Sequence, residues 1–288
     1  MADDDWTRLA DATYVRHLRE ASSRFADVLT ATDPAARVPT CPEWDARALL
    51  AHLTSVQTFW QQVVADDVQT DEQAEALQAG DADPATSEAP EPAYEELLQA
   101  ARAAGERLAD TLESTPPQTP RWTWSTDRSV GFTIRRQAHE ATIHRLDAEL
   151  TAAPDGSART PIDATLAADG VDEALRVMFG GCPPWGTITP DEGRMLRIVA
   201  TDTGTTWLVA LARFTGTDPD GVARDEPDIW VAPHDPGDGT VHPRAILTGA
   251  AEDLYCRLWG RPPISDLRRT GDLVLVAEFE AIVSAPIR

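Results

Sequence analysis

The stretch that decides the fold is Arg136-Gln-Ala-His-Glu140-Ala-Thr-Ile-His144-Arg-Leu-Asp147-Ala-Glu149. Arg136, Glu140, His144 and Asp147 follow one another at spacings of four, four and three. In a helix that rhythm puts them on one face, with neighbouring Cβ atoms about 5–6 Å apart. Such a face is either a solvated polar stripe or an inward-facing site. Bulky apolar residues on this segment are few (Ile134, Ile143, Leu146, Leu150), so part of its inward surface must be polar or small.

A third candidate, His52, stands on an earlier helical segment beside Leu49 and Leu53. A lone histidine at the edge of an apolar stripe is more often a hydrogen-bonded core group than a ligand, so His52 gains weight only with the Glu140/His144 pair. Two helices of a bundle can bring His52, Glu140 and His144 to one metal ion and leave a coordination position open. Two neutral imidazoles and a carboxylate suit Zn²⁺, with Fe²⁺, Ni²⁺ or Mn²⁺ as other occupants. A site of this kind can lower the pKa of bound water or hold a thiol as thiolate. The spacing does not choose between the two uses.

His139 lies next to Glu140 and points about 100° away on a helix. His139 and His144 are five apart, so this is not the His-Glu-x-x-His of zinc proteases, whose histidines are four apart. A supporting hydrogen bond to a neighbouring helix is the role expected of His139.

Outward from this stretch, the first half of the chain reads as four helices. The first covers about Trp6 to Leu29, with Leu18, Phe25 and Leu29 on one stripe. The second starts near Asp45, a good N-cap residue, and runs to about Val64 with Leu49, Leu53, Val56, Trp60 and Val63 inward. The third spans about Ala93 to Leu112, with Leu97, Ala101, Leu108 and Leu112 inward, and the Pro-rich Ser114–Pro120 ends it. The fourth, about Phe132 to Ala152, carries the decisive stretch. Residues 65–92, rich in Asp, Glu, Gln and Ala, read as a mobile acidic excursion with one short helical piece. Four amphipathic helices predict a four-helix bundle.

Ala153-Pro-Asp-Gly-Ser-Ala is a linker candidate, dividing the chain into domains at 1–153 and 158–288. Ile162–Phe179 looks helical. Met195–Thr201 and Thr206–Arg213 read as strands joined by a turn at Asp202–Gly204, with Asp228–Ala232 as a third. Ala250–Trp259 reads as a helix, and Leu273–Val283 is ambiguous between helix and strand. The expected class is therefore α+β with two domains, the second small with a short antiparallel or mixed sheet.

Composition narrows the function. The 288 residues include 42% hydrophobic ones, enough to build cores and to exclude wholesale disorder. A net charge of −23 disfavours nucleic acid and anionic membranes as partners. No apolar run approaches the roughly 20 residues a bilayer span needs. The N-terminus Met-Ala-Asp-Asp-Asp lacks a signal-peptide pattern, so a cytoplasmic protein is expected. Cys41, Cys182 and Cys256 are too scattered for a disulfide framework or a Cys-x-x-Cys site. The absence of lysine and asparagine hints at the coding bias of a high-GC bacterium.

Val38-Pro-Thr-Cys-Pro-Glu-Trp44, then Leu49-Leu-Ala-His52-Leu, then His139-Glu-Ala-Thr-Ile-His-Arg-Leu-Asp-Ala148 resemble the mycothiol-dependent maleylpyruvate isomerase family. Asp163-Ala-Thr-Leu-Ala-Ala-Asp-Gly-Val-Asp-Glu173, Gly249-Ala-Ala-Glu-Asp-Leu254, Leu258-Trp-Gly-Arg261 and Gly271-Asp272 resemble its C-terminal domain. The likeness covers nearly the whole chain except the acidic segment at about 67–92. It implies a DinB-like four-helix bundle followed by a sterol-carrier-like α+β domain. It also implies an actinobacterial enzyme with zinc on His52, Glu140 and His144, mycothiol as thiol cosubstrate, and a functional arginine, which the Leu-Trp-Gly-Arg motif places at Arg261. The implied chemistry is ionisation of the thiol at the metal and addition of the thiolate to an electrophilic small molecule. The outcome is cis–trans isomerisation; the alternatives are mycothiol S-transfer in detoxification or biosynthesis, and a non-catalytic metal-binding module. A fourth protein ligand, Asp147 or a cysteine, would favour the module. Cys41 is expected instead to serve where the chain enters the second helix.

Overall fold

The computed structural model describes residues 7–80, 92–235 and 241–285. These fall into two compact units. One is Ala10–Thr160; the other takes in residues 7–9 together with the chain from Pro161 onward. The short N-terminal piece is tied to the second unit by the Thr7 hydroxyl, which donates to the Asp169 carboxylate at 3.2 Å. The division between the units thus falls at 160/161, with the chain's beginning grouped with its second half.

The first unit contains α1 (Asp11–Thr30), α2 (Ala46–Ala65), α3 (Asp71–Gly80), α4 (Tyr94–Ser114) and α5 (Val130–Ala152). Helices α1, α2, α4 and α5 form the bundle around Phe25, Leu29, Leu49, Leu50, Leu53, Leu98, Ala101 and Ala148. The Asp45 side chain caps α2 by accepting from the Ala48 N–H at 2.8 Å, and the Ser129 hydroxyl caps α5 by accepting from the Phe132 N–H at 3.2 Å. Two inward positions differ from the expected stripes. Leu98 rather than Leu97 is fully buried on α4, and Gln57 rather than Val56 on α2. Gln57 is tolerated in the core because its amide donates to the Ser22 hydroxyl at 2.7 Å. Gly105 lets α4 approach closely there, since a Cβ would lie 2.9 Å from that of Ser22.

The acidic excursion is partly regular. Its described portion forms α3, which opens with Asp71 and Glu72 at the favourable end of the helix dipole. The Trp122 indole N–H donates to Asp71 at 2.6 Å. Residues 81–91, the remainder of that expected mobile segment, lie outside the described residues.

The second unit begins with α6 (Ala164–Glu173) and a π-helical turn, Ala174–Phe179. A five-stranded mixed sheet follows: β1 (Gly186–Ala200), β2 (Thr206–Thr217), β3 (Ala223–Val231), β4 (Ala245–Gly249) and β5 (Arg268–Gly271) in the order β3-β2-β1-β4-β5. The β1/β2 and β2/β3 pairs are antiparallel, β1/β4 is parallel and β4/β5 antiparallel. The turn between β1 and β2 places Gly204 at φ +72°, the left-handed conformation that favours glycine. Trp207–Leu211 of β2 are buried on both faces. Helices α7 (Ala251–Leu258) and α8 (Leu273–Ile282) complete the unit. The ambiguous segment is helical because the Asp272 carboxylate accepts from the Val274 and Leu275 N–H groups, satisfying donors that a strand would pair elsewhere. No helix among the described residues is long and apolar enough to cross a membrane.

Replacing Asp45 by Ala removes the α2 cap. The expected loss is about 1 kcal/mol, read as a lower urea midpoint of far-UV circular dichroism. An unchanged midpoint would show that the cap contributes nothing.

Candidate metal centre

Helix α5 is buried nearly all round; of its residues only Glu140 and the terminal Ala152 are not. The solvated-stripe reading therefore fails for this helix. Arg136, His144 and Asp147 are each less than a tenth exposed. Charges at such depth persist only when paired and hydrogen-bonded.

The pairing is continuous. The His144 Nε2 lies 3.1 Å from Glu140 Oε1, and His52 Nε2, from α2, lies 3.6 Å from the same oxygen. The other carboxylate oxygen, Oε2, accepts from Arg136 Nη2 at 3.0 Å. The imidazole rings of His52 and His144 meet edge to face with centroids 4.9 Å apart. Among the described residues, His52, Glu140 and His144 form the one group of histidine, cysteine and acidic side chains whose donor atoms all lie within 4.8 Å of one another. The three sequence candidates are thus brought together, with two imidazole nitrogens and a carboxylate oxygen facing a common point. This donor set fits a divalent transition metal.

Asp147 is not a fourth donor. Its Oδ2 lies 2.9 Å from His144 Nδ1, on the far side of the ring, and its Oδ1 accepts from the Thr40 hydroxyl at 2.6 Å. Nor does Cys41 join the group; it lies in the turn before α2, where its N–H donates to the Val38 carbonyl at 3.1 Å. Trp44 of the same turn stands against both imidazoles, 4.6 Å from His52 and 6.3 Å from His144 between ring centroids. His139 is fully buried, its ring edge-on to Tyr14 of α1 at 6.1 Å.

The electrostatics follow from these contacts. Burial alone would lower the basicity of His144, but its bonds to Asp147 and Glu140 outweigh it and push the imidazole up to about 9. Burial alone would raise the Glu140 carboxyl, but the two imidazoles and Arg136 hold it well below the usual carboxylate range. Glu140 is therefore ionised, and a cation and the His144 proton compete for the same lone pair.

Arg261 belongs to the other unit, just after α7. Its Nη1 donates to the Trp259 carbonyl at 2.6 Å, and its backbone N–H to the Cys256 carbonyl at 2.8 Å. Thr40 and Trp44 are the site residues that donor spacing missed. Their signal was the Val38–Trp44 motif itself, whose chemistry is carried by no metal-ligating side chain.

A family model for the mycothiol maleylpyruvate isomerase N-terminal domain matches residues 15–149, and one for the C-terminal domain of the same family matches residues 165–278. The chain belongs to the mycothiol-dependent maleylpyruvate isomerase family. A solved mycothiol-dependent maleylpyruvate isomerase aligns at 12% identity and a TM-score of 0.53, covering 91% of this chain and 93% of its own. The structure of an H52A mutant of such an isomerase, so numbered in that protein, aligns at 12% identity and a TM-score of 0.50 over 86% and 88%. At this identity the likeness is one of fold. No curated protein matches the chain.

Replacing His52, Glu140 or His144 by Ala is expected to abolish stoichiometric metal while leaving the helical circular dichroism largely intact. Elemental analysis of the three purified variants checks this. Full metal occupancy in all three would reject the assignment.

Proposed function

We propose that this chain is a zinc- and mycothiol-dependent enzyme that adds a thiolate to an electrophilic small molecule. The observation that supports it best is a set of three converging donors, His52, Glu140 and His144, with no fourth protein ligand among the described residues. A closed structural site would present four. When bound, a zinc ion supplies Lewis acidity and lowers the pKa of a thiol that reaches its open position.

The chain's own residues set the conditions for that chemistry. Arg136 holds one oxygen of Glu140, so the carboxylate offers the other. The His52 side chain is 34% exposed while that of His144 is 9% exposed, so a small thiol has access from the α2 side of the site. In isomerisation, the thiolate sulfur bonds to one carbon of an activated C=C. The π electrons move onto the adjoining carbonyl as an enolate, the resulting single bond rotates, and expulsion of the thiolate restores the double bond. In transfer, carbon takes up a proton instead and the thioether leaves. Arg261 is assigned to hold the substrate carboxylate or the developing enolate. Its support is the Leu258-Trp-Gly-Arg261 motif and the fork geometry of a guanidinium.

The zinc-loaded protein is expected to convert maleylpyruvate to its trans isomer only when mycothiol is present. Loss of substrate into a stable thioether would reject isomerisation and leave transfer. With Co²⁺ in place of zinc, a visible spectrum unmoved by mycothiol would reject the thiol role and point to a non-catalytic metal-binding module. Arg261→Ala is expected to keep full metal and lose kcat/KM by about 100-fold; unchanged turnover would show that another group holds the anion.

A further inference from the structure

We propose that the turn Val38–Asp45 is the positioning element of the metal centre, with Thr40 acting through Asp147 on His144 and Trp44 backing His52. The inference rests on the metal-site reading but not on the thiol chemistry.

A histidine can give its Nε2 lone pair to a cation only if its Nδ1 carries the proton and that proton has an acceptor. Asp147 Oδ2 is that acceptor, 2.9 Å from Nδ1. Asp147 is itself fully buried, and a buried carboxylate needs more than one partner to hold its orientation. Thr40 supplies such a bond at 2.6 Å, across 107 residues of sequence. The hydroxyl therefore fixes the carboxylate, the carboxylate fixes the tautomer and tilt of the ring, and the ring aims the donor.

The same short segment controls the other imidazole. Asp45 caps α2, the helix that carries His52, and Trp44 packs its ring 4.6 Å from that of His52. The turn is rigid by its own bonds. The Val38 N–H donates to the Trp44 carbonyl at 3.1 Å, the Trp44 N–H to the Cys41 carbonyl at 2.8 Å, and the Ala46 N–H to the Ala36 carbonyl at 2.9 Å. Val38 is fully buried and anchors it in the bundle core. One turn thus orients donors on two different helices. By linkage, a metal that binds only the ordered arrangement also stabilises the turn.

The test uses zinc alone, with no thiol or substrate. Thr40→Val keeps the shape and removes the hydroxyl. It is expected to weaken zinc affinity by about 10-fold or more, measured by competition with a chelator, and Thr40→Ser to restore most of it. Metal-free Thr40→Val should lose some thermal stability, because the buried Asp147 oxygen loses its donor, and zinc should raise its midpoint by less than it raises that of the wild type, a difference that a merely structural role would not produce. Zinc should also slow amide hydrogen exchange across residues 38–45 of the unaltered protein. Equal zinc affinity in Thr40→Val and wild type, or exchange in the turn unmoved by zinc, would overturn the proposal. Failure of the unaltered protein to bind zinc would overturn the metal centre itself, and failure of mycothiol to react would leave this inference standing.

Discussion

The constraint on which the structure turns is the burial of alternating charge along one helix. Helix α5 carries Arg136, Glu140, His144 and Asp147 on one face and places them at or near the interior. Each desolvated charge would cost several kcal/mol if left alone. The cost is offset because every member meets its opposite or a hydrogen-bond donor: Arg136 with Glu140, Glu140 with two imidazoles, His144 with Asp147, and Asp147 with Thr40. This requirement dictates the surroundings. Helix α2 must bring His52 within reach of Glu140, and the preceding turn must bring Thr40 within reach of Asp147. A bundle with a fully apolar interior would hold its helices with less demand on register, but it could not hold a cation.

That same feature explains what was legible in the sequence. Helices α1, α2 and α4 announce themselves by apolar positions three and four apart, and α2 by its Asp45 cap. Helix α5 has no such stripe, because its buried residues run all round it. There the spacing of Glu140 and His144 carried the information instead. In the second unit, β1, β2 and β3 were visible as runs of β-branched and aromatic residues, though β1 and β3 begin earlier than those runs. Strands β4 and β5 were not visible. Five residues, Ala245–Gly249, pair parallel with β1, which lies some fifty positions earlier, and Arg268–Gly271 is polar throughout. A strand that exists because of a distant partner leaves little local trace. The sequence of α8 opens with Leu273-Val-Leu-Val, as good for a strand as for a helix, and only the Asp272 cap decides it.

Thr40 shows a different limit. A hydroxyl bonded to the carboxylate that in turn meets His144 has no spacing rule, because its distance in sequence from Asp147 is set by the fold. The Val38–Trp44 motif could be matched as a pattern, yet its physical content appears only when α5 is packed beside it. Motif residues that are neither ligands nor core need such a geometric account before a role is assigned to them. The Glu140/His144 pair follows a rule of helix geometry, and His52 and Thr40, brought to it from other elements, follow none.

The charge balance of the whole chain bears on the substrate. At a net charge of −23, the protein as a whole repels an anionic small molecule. That field is screened beyond about 8 Å at physiological ionic strength, so binding depends on cations close to the site. The chain has no lysine, and every fixed cation is an arginine. Arg136 commits one of its five N–H donors to Glu140, through Nη2 at 3.0 Å. A guanidinium outside the α5 ladder would add to the recognition of an acidic substrate without drawing on that bond. Among side chains with a fixed positive charge, this sequence offers the fork geometry of arginine and never the mobile ammonium of lysine.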